Sequence, residues 1–151
     1  GKWGLLKDWQ YTANILNQNG NTLGGWSTDA SGVIHLESQD WGGPGFTNGK
    51  IYQTITLPAG KYSLEYYSDG FGGSATSMVG VALGNALPDI ENAEGNTLAY
   101  EISQDGSASG THKIYFELDN TQMVTHGWTV TIPCSNTWYH INWVKLKILG
   151  L

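Results

Sequence analysis

Hydrophobic and polar residues alternate along most of the chain, and this two-residue period predicts strands. Residues 33–38 place Ile34 and Leu36 on one face and His35 and Glu37 on the other. Ile51, Gln53, Ile55 and Leu57 alternate with Tyr52, Thr54 and Thr56, and Tyr62, Leu64 and Tyr66 continue the period on a return strand. Between them Pro58-Ala59-Gly60 reads as a turn, because proline presets φ and glycine accepts the positive φ that follows. Further runs cover 78–83, 97–103, 111–118, 122–132 and 138–149, with 9–16 as a first strand. Helical period is confined to a turn or two at 5–9 and a stretch at 87–93, where Pro88 suits a first helical turn. Many strands joined by Gly-rich polar connections, with no helical crossovers, predict an all-β antiparallel two-sheet jelly-roll sandwich.

Length and composition sharpen this picture. The 151 residues suit one domain, with 1–8 read as a linker or N-terminal extension and 9–151 as the sandwich. Branched aliphatic residues are sparse, so seven Trp, eight Tyr and three Phe must supply much of the core. Val124, His126, Trp128, Val130 and Ile132 share one parity, which assigns Trp128 to that core. Trp143 falls on the opposite parity and is expected to pack against the N-terminal segment through Trp3 or Trp9. The net charge is −6, and all seven basic residues are Lys. Without Arg or a basic cluster, nucleic acid and anionic membrane surfaces are poor partners. No apolar run reaches the roughly 20 residues of a membrane span. The chain begins at Gly1 rather than Met, as a piece of a longer exported polypeptide would.

Reversal of direction at each strand brings the connections 39–49, 69–77, 104–110 and 133–137 to one end of the sandwich. These are long and Gly-rich and carry aromatics, and loops at one end of a rigid sandwich commonly bind ligands. Trp41, flanked by Gly42-Gly43-Pro44-Gly45, is the first candidate, either as an exposed platform for a sugar ring or as a plug over the sandwich mouth. Asp40 and Asn48 would add oriented hydrogen bonds. Asp69 and Phe71 occupy the neighbouring loop, and Trp138 closes the 133–137 connection. A hairpin turn at 29–32 would set Trp26 opposite His35 as a platform on the sheet surface. His35, His112, His126 and His140 are scattered without zinc-ligand spacing, and Cys134 has no second cysteine, so metal ligands stay unassigned.

The stretch 50–64, from Lys50 through Pro58-Ala59-Gly60 to Leu64, resembles the central hairpin of galactose-binding-domain-like sandwiches. The closing Ile141-Asn142-Trp143-Val144-Lys145-Leu146 is similar to their last strand, with Asn142 where an Asp often stands. More narrowly, the chain resembles a domain family at the C-termini of surface lipoproteins in polysaccharide-degrading gut bacteria. The resemblance implies a non-catalytic carbohydrate-binding module with a glycan partner, carried by a larger protein in an extracellular or cell-surface setting. It implies no cofactor beyond room for a structural Ca²⁺. A structural or protein-interaction sandwich is the alternative. A small glycoside hydrolase with Glu37 and Glu65 as its acid–base pair comes last, since such a pair must face across a cleft.

Overall fold

Alternation becomes strand pairing in a computed structural model of the protein, which describes residues 8–15, 25–28, 32–38, 45–104, 109–133 and 137–151 (of 25–28 and Phe71, the backbone alone). The strands are β1 (Gln10–Tyr11), β2 (Gly25–Thr28), β3 (Ile34–Ser38), β4 (Phe46–Leu57), β5 (Gly60–Ser68) and β6 (Phe71–Gly72). They continue with β7 (Thr76–Leu83), β8 (Ala99–Gln104), β9 (Gly110–Leu118), β10 (Gln122–Ile132), β11 (Thr137–Ile141) and β12 (Trp143–Gly150). One sheet has the order β1-β4-β10-β7-β8. The other comes as two ladders, β2-β3-β11-β6 and β12-β5-β9.

Those two ladders are halves of one surface. β5 continues into β6, and β11 into β12, with an irregularity at Asp69–Gly70 on one side and Asn142 on the other. His140 N–H donates to the Gly70 carbonyl at 2.9 Å and Asn142 N–H to the Tyr67 carbonyl at 3.0 Å, bridging the break. The sandwich is thus β3-β11/β12-β5/β6-β9 against β4-β10-β7-β8, an antiparallel jelly roll in which the first and last principal strands are neighbours.

The core between the sheets is aromatic, as composition requires. Tyr62, Tyr66, Phe116, Trp128 and Tyr139 are buried among Leu36, Ile51, Leu64, Val79, Val81, Val124 and Val130. Trp128 lies edge-on to Tyr66 and donates its Nε1–H to the Tyr139 hydroxyl at 3.2 Å. Burial pushes the Tyr139 phenol above its usual range, and His126 below its own, so the hydroxyl keeps its proton and the imidazole stays neutral. Trp143 stacks on Tyr67 at 5.8 Å and, with Trp9, lines a cavity of about 320 Å³.

Several expected boundaries shift. The hairpin turn at Pro58-Ala59-Gly60 is present, with Gly60 at φ 153° and the Tyr62 hydroxyl donating to the Pro58 carbonyl. The first strand is only Gln10–Tyr11, the helical stretch at 87–93 shortens to a 3₁₀ turn at Ile90–Asn92, and most of 5–9 lies outside the described residues. The segment 84–98 lies along the outer face of the β4-β10-β7 sheet. Thr125 Oγ1 donates to the Gly84 carbonyl at 2.7 Å and Thr129 Oγ1 to the Pro88 carbonyl at 3.0 Å. Lys50 pairs with Asp89 at 2.7 Å. Met78, Ala82, Leu87 and Ala93 are buried beside this strap. One outer face of the sandwich is therefore covered by the chain's own segment.

Candidate functional site

The register of the second sheet sets the polar residues of its outer face in rows. On β3, inward Ile34 and Leu36 alternate with His35 and Glu37, as the period demands. On β11, buried Thr137, Tyr139 and Ile141 alternate with Trp138 and His140. Pairing of β3 with β11 sets Glu37 opposite Trp138 and His35 opposite His140. On the next strand, Gly72 is opposite Trp138, and Gly70 accepts from the His140 amide.

The two glycines are seats for the two rings. A Cβ on Gly72 would collide with the Trp138 indole, and one on Gly70 would meet His140 Nδ1 at 2.5 Å. Held against Gly72, Trp138 remains 40% exposed. A part-exposed apolar ring on the outer side of a sheet can serve as a platform for a flat partner. Polar groups adjoin it. The His35 and His140 ring centroids are 4.1 Å apart. His35 Nδ1 lies 3.2 Å from Glu37 Oε1, and His140 Nδ1 lies 3.0 Å from Asp69 Oδ1. The Asn142 side chain first, then the His140 ring, holds the Asp69 carboxyl below its usual range. Asp69 is therefore an ionised acceptor, and His140 must donate from Nδ1. Asn142 Oδ1 in turn accepts from the Asp69 amide at 2.9 Å, which secures the irregularity where the two ladders join.

The expected site residues distribute unevenly. Trp138 lies in this cluster, near the start of β11 as the strand reading 138–149 expects. Asp69 and Phe71, expected on a loop 69–77, belong to the β5–β6 path, because pairing with β11 extends the strand to Gly72. Trp26 pairs with Leu36, and Ser27 takes the place opposite His35. The expected Trp26–His35 pairing is corrected by one residue because the β2–β3 connection spans 29–33 rather than 29–32. Asp40 and Trp41 lie outside the described residues. Their segment departs from Ser38, which pairs with Thr137, the neighbour of Trp138.

Asn48 serves the strap. At φ 51° it donates from Nδ2 to Glu91 at 3.0 Å and accepts from the Ile90 amide at 2.9 Å. Replacing Asn48 with Ala removes both bonds and puts a residue poorly suited to positive φ there. A loss of about 2 kcal/mol is expected from the hydrogen bonds and backbone together. A urea melt and faster exchange of the Ile90 amide would check it.

Sequence reading treated the histidines as scattered. The fold joins two of them across a separation of more than a hundred residues, and His35, Glu37 and His140 each bring a ligand atom within 4.8 Å of the others. The signal available was outward parity on both strands together with the jelly-roll rule that first and last strands are neighbours. Glu65 sits elsewhere on this sheet, 3.7 Å from Lys113 Nζ.

The fold is similar to that of β-sandwich proteins of known structure. TmCBM61, solved in complex with β-1,4-galactotriose, matches with a TM-score of 0.56 at 12% identity, covering 93% of this chain and 88% of that one. A CBM4 structure matches with a TM-score of 0.58 at 11% identity, over 93% of this chain and 86% of that one. The K3 cleaved adhesin domain of Lys-gingipain from Porphyromonas gingivalis gives 0.51 at 15% identity, over 93% and 91%. No curated protein matches the sequence. Residues 1–127 match the family described as Domain of unknown function (DUF5013), and the chain belongs to that family.

Proposed function

We propose that this domain is a non-catalytic carbohydrate-binding module of a larger secreted or surface-anchored protein. The observation that carries the reading is the part-exposed Trp138 ring, seated on Gly72 beside His140 and Asp69 on the outer face of the second sheet. A pyranose offers a flat face of C–H groups to such a ring, while Asp69 and the histidines offer the few directed hydrogen bonds that fix its orientation. Trp41, Asp40, Phe71 and Trp26 are the further candidates for contact with the sugar. Likeness of fold to sugar-binding modules supports the same reading. A non-catalytic role is supported by the pairing of Glu37 with His35 on its own strand and of Glu65 with Lys113 on the adjacent strand β9.

The test is an array of neutral oligosaccharides, β-1,4-linked galactosides among them, followed by fluorescence titration of any ligand found. Trp138→Ala should weaken binding at least tenfold, about 1.4 kcal/mol, with the fold unchanged by circular dichroism. Equal affinity in wild type and Trp138→Ala would remove Trp138 from the site, and Trp41→Ala would then be decisive. Silence across the array would favour the interaction-domain reading. That reading draws on the exposed Tyr100, Ile102 and Tyr115 at the β8 and β9 edges.

A further inference from the structure

The paired histidines support a second chemistry that needs no sugar. His35, Glu37 and His140 come from two adjacent strands and share one face, so backbone register rather than loop conformation sets their separation. Their ligand atoms lie within 4.8 Å of one another. A tetrahedral ion with bonds of about 2.0–2.2 Å needs ligand atoms roughly 3.3–3.6 Å apart, which small side-chain rotations would bring about. All three side chains are largely shielded, so solvent competes less for an ion among them than at an open surface. Asp69 completes the pattern from outside. By accepting from His140 Nδ1 it orients the ring and leaves Nε2 as the ligating nitrogen, the arrangement in which a carboxylate supports a metal-bound imidazole.

We infer that His35, Glu37 and His140 form a site for a divalent transition ion of the zinc type, with Asp69 as the residue that positions His140. Two imidazoles and one carboxylate favour Zn²⁺ and its neighbours over Ca²⁺, which prefers an all-oxygen shell. Three protein ligands leave at least one coordination position for water or another oxygen donor. The Gly70 seat is part of the design, because a side chain there would push the His140 ring away from its partners.

The experiment is a Co²⁺ titration of tag-free, chelator-stripped protein, read by visible absorption and followed by displacement with Zn²⁺. One equivalent should saturate the wild type, Zn²⁺ should displace the Co²⁺, and excess Ca²⁺ should not. His35→Ala and His140→Ala should each weaken binding by at least 100-fold, and Asp69→Asn by about 10–100-fold. His112→Ala, at a histidine paired with Glu101 elsewhere, should leave it unchanged. Should a variant fail to fold, wild-type NMR supplies the second measurement. One equivalent of Zn²⁺ should shift the ring signals of His35 and His140 and leave those of His112 and His126 in place. Absence of one-to-one saturation, displacement by Ca²⁺, or ring shifts confined to the other histidines would overturn the assignment. None of these readouts involves a glycan, so the outcome is independent of the sugar-binding proposal.

Discussion

Replacing Gly127 with Ala should cost about 3 kcal/mol or more, and for a domain of this size lower the melting temperature by roughly 6–12 °C. Gly127 lies in β10 between Tyr52 of β4 and Gly80 of β7, with φ at 152°. That conformation is close to glycine-only. Space is also lacking, since an added Cβ would collide with the Ile51 carbonyl oxygen and meet Tyr52 Cα at 2.8 Å. Both obstacles are backbone atoms of a paired strand, so no rotamer change relieves them. Relief requires β4 and β10 to separate along a pairing that runs from Gln122–Leu57 to Ile132–Phe46. Thermal and urea melts of the variant would measure the cost, and a change below about 0.5 kcal/mol would contradict the geometry.

Trp128→Ala should be comparably damaging, at about 3–5 kcal/mol. The indole is 1% exposed, packs on Trp9 and Tyr66, and bonds the Tyr139 hydroxyl. Truncation leaves a cavity at the centre of the sandwich and removes that donor. Trp128→Phe reduces the cavity contribution, because it keeps much of the ring volume while losing the N–H, for an expected cost of about 1–3 kcal/mol. A double-mutant cycle with Tyr139→Phe should then show coupling of about 1 kcal/mol, since the two residues share one hydrogen bond.

Strand parity made this core legible in advance. Val124, His126, Trp128, Val130 and Ile132 could be placed together because period two is a local property, and all five are buried, while the strap buries Thr125 and Thr129 of the opposite parity too. The site was legible only in fragments. Outward parity of His35 and Glu37 was readable, as was the parity that Trp138 shares with His140, but nothing local states that β3 pairs with β11. That pairing is a matter of topology across the whole chain. Trp26 shows the limit from another side, since one extra residue in the 29–33 connection moved its partner from His35 to Leu36. Asn48 looked like a ligand group because its neighbours are Gly-rich and polar. Its partners, Ile90 and Glu91, lie more than forty residues away on a strap whose path no periodicity encodes.

The seating of Trp138 and His140 on Gly72 and Gly70 alters where tolerance to change should be found. In a saturation scan scored for binding, chemically blank positions should be as intolerant as the rings they carry, and every substitution there should act by tilting a neighbour. Evolution of new specificity on this surface is then channelled. The rings and their two glycines must change together or not at all.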